Sequence, residues 1–362
     1  MSKIYNFSAG PACLSEKALT GARDVLLNYQ SSGISLLEMS HRSPQIVNLF
    51  EEATINLKDL LNVPDNYHVL WLQGGASLQF SMVPMNLLPD SGSADYIDTG
   101  VWSAKAISEC EKIGGVNIIG SSRDSNYTFI PKNIKNNNKS SYLHITSNNT
   151  IYGTQYKKYP EVDNDNSFLV ADMSSDILSA ELDVTKFGLI YAGAQKNMGP
   201  AGVTLVIIRS DLVNLKYRDI PTMMNYNTHV IKSSMFNTPP VFSVCVVNET
   251  LKWIISVGGL KKIEELNIKK SNNLYNEIER NSLFISPVKI EDRSTMNIPF
   301  VFADNVSIND KKFLDFCYER GLVTLKGHRS VGGFRASIYN AMPESGVSAL
   351  IDAMQEFEKL YN

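Results

Sequence analysis

Between positions 67 and 209 the sequence alternates short apolar, β-branched runs with helical or polar stretches, and this alternation restricts the fold more than any other feature. The runs are 67–72 (YHVLWL), 95–98, 116–119, 142–146, 168–172 (FLVAD), 189–192 and 203–209. Strands separated by helices predict a seven-stranded, mostly parallel sheet flanked by helices, an α/β architecture. Residues 43–62 support it: Ser43 offers an N-cap, Pro44 suits the first helical position, and apolar residues recur at helical spacing until Asn62. Gln73-Gly74-Gly75 predicts a tight turn into a helix over 76–88, whose first N–H groups lack intrahelical partners and suit a phosphate.

A buried helix is expected over 241–257, stopped by Gly258-Gly259, where a domain boundary falls. Beyond it come a helix, a strand at 298–303, a helix at 310–320 closed by Gly321, strands at 323–325 and 334–338, and a helix from Pro343. The expected organisation is a large domain over 16–258 and a small α+β domain over 259–362, against which residues 1–15 pack. The polar tract 132–140, with Asn136-Asn137-Asn138, and the segment 163–167 read as surface loops.

With 362 residues, 43% hydrophobic and 20% charged, the chain can bury two cores. A net charge of −3 without a long basic block argues against nucleic acid and anionic membranes as partners. The start MSKIYNFSAG lacks the apolar core of a signal peptide, and the strongest apolar run, 203–208, is too short to span a bilayer, so a cytoplasmic protein is expected. Cys13, Cys110, Cys245 and Cys317 lack metal-ligand or CxxC spacing, which predicts reduced packing thiols and no metal centre.

The run 192–202 (AGAQKNMGPAG) sets Lys196 in a Gly-rich turn directly after a strand. Alone, it reads as one more solvated lysine. Asp172, however, closes the run FLVAD, and α/β sheets present ligand-binding groups at strand ends. A carboxylate opposite a lysine points to pyridoxal phosphate, which needs a lysine for covalent attachment, an acid to keep its ring nitrogen protonated, a flat partner and phosphate donors. Trp102, in TGVWSAK, is the candidate for stacking, although a lone tryptophan more often packs a core. Ala76 and Ser77, at the start of a helix, with Gln195 and Thr150 are the candidate donors; Asn237-Thr238, in FNTPP, reads as a turn on its own. Two His-Arg pairs, His41-Arg42 and His328-Arg329, together with Arg335 could hold a doubly anionic substrate through paired hydrogen bonds, the competing reading being exposed surface arginines.

Assembled, these residues resemble the phosphoserine aminotransferase family of class V, fold-type I pyridoxal phosphate enzymes, from NFSAGP near the start to KGHRSVGGFRASIYNA near the end. The resemblance implies that Lys196 carries the cofactor, Asp172 meets the pyridine nitrogen, Trp102 stacks, Thr150 contacts the ring, and Ala76, Ser77 and Gln195 hold the phosphate. It also implies a homodimer with shared sites: Asn237 and Thr238 reach the neighbour's cofactor phosphate, and His41-Arg42 enter the neighbour's substrate site. Arg335 would take the α-carboxylate, with His41, Arg42, His328 and Arg329 around the substrate phosphate. Some members carry an arginine where this chain has Ser77, which implies one fewer cation there. The implied reaction is a ping-pong transfer from glutamate to 3-phosphooxypyruvate, giving 2-oxoglutarate and O-phospho-L-serine, with a phosphorylated hydroxythreonine of pyridoxine synthesis as a further substrate. The competing readings are an alanine-glyoxylate aminotransferase, a cysteine desulfurase, which lacks a recognisable catalytic cysteine loop here, and a non-catalytic cofactor-binding protein.

Overall fold

The computed structural model describes residues 3–361 apart from 133, 136, 138 and 163–166. The loops expected at 132–140 and 163–167 therefore lie partly outside the described residues, at Asn133, Asn136, Asn138 and 163–166.

In chain order, β1 (Tyr5–Asn6) leads to α1 (Glu16–Val25), capped by Ser15, whose hydroxyl accepts from the Ala18 N–H at 3.2 Å. Helix α2 (Pro44–Leu61) opens on its proline and ends at Asn62, held left-handed at φ 48°. Ser43 occupies the N-cap position, yet its hydroxyl makes no capping bond. There follow β2 (Tyr67–Leu72), α3 (Gly75–Leu87), β3 (Ser93–Asp98), α4 (Val101–Cys110), β4 (Gly115–Ser121), β5 (Ser140–Thr146), β6 (Leu169–Asp172), β7 (Phe187–Gly193) and β8 (Thr204–Arg209).

These seven strands form one sheet in the order β2-β8-β7-β6-β5-β3-β4. Strand β8 runs antiparallel to both its neighbours, and the remaining pairs are parallel. The reversal follows from the short connection between β7 and β8, which turns the chain straight back instead of crossing over through a helix. Consequently β2, β3, β5, β6 and β7 all end at one edge, the edge at which such sheets bind ligands.

Both faces of the sheet are covered. Leu49, Phe50 and Leu57 of α2 pack on one face together with the helix α6 (Val241–Val257), which contributes Val247 and Leu251; Phe80 and Val83 of α3 pack on the other. Between β8 and α6 lies the short α5 (Tyr226–Ile231). At Gly258, left-handed at φ 115°, the chain bends by 84° into α7 (Gly259–Arg280). Leu260 and Ile263 of α7 still belong to the first core, whereas Leu274 and Ile278 join a separate C-terminal one.

That second core gathers Phe284, Phe300, Phe313, Phe334 and Phe357 from β9 (Phe284–Ile285), β10 (Asn297–Phe302), α8 (Asp310–Glu319), β12 (Phe334–Ser337) and α9 (Glu344–Tyr361). Strands β12, β10 and β9 form an antiparallel sheet. The strand expected at 323–325 is shorter, β11 (Leu322–Val323), because Thr324 adopts φ 64°, and it pairs with β1 rather than with that sheet. Phe7, just after β1, is fully buried in the C-terminal core. Among the described residues no single helix is long and apolar enough to cross a membrane.

Candidate active site

Two adjacent parallel strands deliver the central pair. Asp172 closes β6, and the turn after β7 carries Lys196. The Lys196 ammonium donates to Thr150 Oγ1 at 2.8 Å and lies 5.1 Å from the centre of the Trp102 ring. Burial lowers the lysine to about 8, against the raising charge of Asp172 and together with the lowering charge of Arg335. Asp172 is buried, which raises its carboxyl, while Lys196 and the hydrogen bonds from Ser174 oppose the rise. Both of those bonds reach Oδ1, from the Ser174 amide at 2.9 Å and its hydroxyl at 2.6 Å, and the same hydroxyl accepts from the Gly193 N–H at 3.0 Å. The second carboxylate oxygen is left for a ligand.

Ala76, Ser77, Trp102, Thr150, Asp172, Gln195, Lys196, His328 and Arg335 line one cavity of about 340 Å³. At one end Gly74 and Gly75, left-handed at φ 92° and 67°, turn the chain so that α3 points its first amides inward. A Cβ on Gly193 would sit 2.8 Å from Gln195 Oε1 and 3.6 Å from the Ala76 nitrogen, so the absent side chain lets the Gln195 amide and the start of α3 converge. Arg335, on β12, donates from Nη1 to the Thr150 carbonyl at 3.3 Å, and its Nε is buried without a hydrogen-bond partner. Burial lowers its guanidinium from the ordinary value, with Tyr339 acting the other way. His328 Nδ1 lies 2.7 Å from Ser330 Oγ, and burial plus the charges of Arg335, Arg329 and Lys105 lower its imidazole.

A helix start, an amide, a carboxylate with one oxygen free, an amine and a guanidinium with an unpartnered Nε, all lining one cavity, suit pyridoxal phosphate with an amino acid beside it. Residues 4–350 match the model of the class-V aminotransferases. The chain belongs to that family. It is 52% identical over 360 residues to a phosphoserine aminotransferase of Bacillus thuringiensis, covering 99% of each chain. Among solved structures it superposes with a TM-score of 0.95 on phosphoserine aminotransferase from Bacillus circulans subsp. alkalophilus, at 44% identity and 99% coverage of both chains. The TM-score is 0.92, at 40% identity, with PLP-bound phosphoserine aminotransferase from Trichomonas vaginalis, covering 98% of this chain and 100% of that one.

Not every residue singled out in this aminotransferase's sequence lines the cavity. Arg329 is exposed beside His328. Asn237 and Thr238 are also exposed, and Asn237 donates to Gln73 Oε1 at 3.3 Å in a separate cleft. His41 and Arg42 sit in the turn before α2, Arg42 exposed and His41 with a buried Nε2 that has no partner.

Three residues that the sequence did not single out do reach the site. Ser174 orients Asp172, as described. A Cβ on Gly10 would lie 3.2 Å from Lys196 Cγ, and Ala12 N donates to the Gln195 carbonyl at 2.9 Å, so the segment SAGP packs directly on the lysine turn. Lys105 lines the cavity one helical turn beyond Trp102, a position visible only once α4 is recognised as a helix.

Proposed function

We propose that this chain is a phosphoserine aminotransferase, moving an amino group between L-glutamate and 3-phosphooxypyruvate to give O-phospho-L-serine and 2-oxoglutarate. The observation that carries the reading is the meeting, in one cavity, of a lysine held near 8, a buried carboxylate with one oxygen free, and a cationic rim. The cofactor, pyridoxal 5′-phosphate, supplies a protonated ring that withdraws electrons from the bond broken at the substrate α-carbon.

Lys196 is the covalent anchor and, once free, the base. Near pH 8 a large share of its amine is neutral, and the Thr150 hydroxyl 2.8 Å away fixes its direction while it moves a proton at the α-carbon. Asp172 keeps the ring nitrogen protonated by placing a negative charge beside it. Trp102 would cover a face of the ring. The amides of Ala76 and Ser77, the Ser77 hydroxyl and the Gln195 amide hold the cofactor phosphate, as a helix start does well. Arg335 takes the substrate α-carboxylate in a two-pronged hydrogen bond. His328 and Arg329 stand on the side of the substrate phosphate.

The residues outside the cavity fit a homodimer whose sites are shared: Asn237 and Thr238 complete the phosphate site of the neighbour, and His41 and Arg42 its substrate site. The unpartnered His41 Nε2 supports this. The working division is a large domain over 16–258 and a small one over 259–362 with residues 1–15 docked on it, in a cytoplasmic enzyme.

Single half-reactions test the substrate. Phosphoserine and glutamate should each convert the visible absorbance of the bound cofactor, with alanine far slower. Conversion by alanine as fast as by phosphoserine contradicts the reading.

A further inference from the structure

The cavity holds a cation to which nothing so far gives a role. Lys105 follows Trp102 by three residues on α4, so the two share a helix face, and its ammonium stands 4.7 Å from the centre of the Trp102 ring. Among the described residues no carboxylate pairs with it, although surface lysines elsewhere on the chain do pair, as Lys112 does with Glu109 at 2.7 Å. Lys105 is exposed, whereas Asp172 and Thr150 are buried, so it stands at the solvent end of the cavity. His328 lines the same cavity, and the charge of Lys105 acts on that imidazole in the same direction as Arg335 and Arg329.

The cavity therefore gathers Lys105, His328 and Arg335 in its lining, with Arg329 next to His328 just outside it. The carboxylate in the cavity, Asp172, is buried beside Lys196. Like charges collected without counter-charge raise the local potential, and an incoming anion relieves it, a dianion more than a monoanion. Ser77, on the exposed first turn of α3 at the same cavity, is neutral. Trp102 holds the ammonium over its face, which limits the rotamer freedom lost when the lysine engages a ligand.

We propose that Lys105 binds the phosphate of the phosphorylated substrate and sets the preference of the site for that dianion over glutamate. This rests on the reading of the cavity as a phosphoserine aminotransferase site. The ammonium donates to a phosphate oxygen as a point charge and takes no part in proton transfer, so its effect falls on substrate binding rather than on the chemical step.

The test uses the cofactor-loaded enzyme and the variants K105M and K105R, with phosphoserine and glutamate half-reactions followed separately. Methionine is a good helix former at an exposed position, and thermal melting of both variants checks that the fold is kept. K105M should raise KM for phosphoserine about tenfold, as loss of one partly exposed charge-assisted hydrogen bond does, with kcat within about twofold and a smaller rise for glutamate. K105R should keep most of the preference. An unchanged phosphoserine KM in K105M, an equal rise for both substrates, or a fall in kcat alone overturns the assignment. Failure of the wild-type enzyme to use phosphoserine overturns the parent reading instead, so the two failures are told apart.

Discussion

Replacing Asp172 with asparagine tests the electrostatic core of the site with almost no change in shape. Asp172 Oδ1 accepts from both the amide and the hydroxyl of Ser174, and an asparagine can keep those two bonds only by turning its own oxygen toward Ser174. Its NH2 group then faces the cavity, so a donor replaces the acceptor that the ring nitrogen requires. Two consequences can be sized. Asp172 is the largest influence raising Lys196, which stands at about 8. Losing the opposite charge that raises it moves a lysine further down, so Lys196 in the variant should titrate below about 8. Turnover should fall on the order of a thousandfold, as when a preorganised electrostatic contact is removed from a buried site. The amine is read directly in cofactor-free protein from the pH dependence of its acylation, located by peptide mass spectrometry, and turnover from the loaded enzyme. A Lys196 midpoint that stays or rises, with turnover within tenfold of wild type, would refute the reasoning.

Three further outcomes are expected. Cofactor-free protein should gain stability as pH rises from 8 toward 10, because Lys196 and Lys270, both held near 8 when folded against 10.5 for an ordinary lysine, leave the unfolded state with more bound protons in that window. Urea titrations of K196M should show a shallower rise, and an identical slope counts against the lowered value. Lys270, buried, donates to the carbonyls of Ile338, Tyr339 and Met342 at 3.0, 2.8 and 3.0 Å; Tyr339 keeps a second donor in the Met342 N–H at 2.9 Å, so K270M takes away the Lys270 bond to Ile338 and Met342 and should cost about 2 kcal/mol or more. A loss under about 1 kcal/mol by chemical denaturation would show that these carbonyls find other partners. If His41 and Arg42 serve the neighbouring subunit, R42A and K196A are each nearly inactive alone, yet mixed and reassembled they should recover up to about a quarter of wild-type sites, since a mixed dimer keeps one intact site. No recovery in a verified mixed dimer removes the shared-site arrangement.

The sheet was legible because its strands are short apolar runs separated by polar or helical stretches; all seven observed strands differ from their runs by no more than two residues at either end, as with YHVLWL at Tyr67–Leu72. β7 begins earlier, at Phe187, because Gly188 interrupts the apolar run at its start. The reversal of β8 depends on the length of the connection that bears Lys196, a feature periodicity does not register. Lys196 and Asp172 were visible as chemistry placed at strand ends. Trp102 was visible only as an aromatic, since the ten-residue α4 that aims it follows Gly100 without a capping side chain and carries just a few buried residues. The same blind spot hid Lys105. Gly10 could not be foreseen either: it lies 186 positions from Lys196, and their contact exists only because β1 pairs with β11 and draws the N-terminal segment across the site. His41, Arg42, Asn237 and Thr238 could be ranked as candidates by residue type, while their distance from the cavity of their own chain is a property of three dimensions.

The most direct measurement is borohydride reduction of the purified, cofactor-loaded enzyme followed by peptide mass spectrometry, with and without prior treatment with O-phospho-L-serine. The account predicts the added mass of the cofactor on the peptide containing Lys196, absent from K196A and lost when phosphoserine has first released the amine. Label on another lysine, or label on Lys196 that phosphoserine leaves untouched, would contradict it.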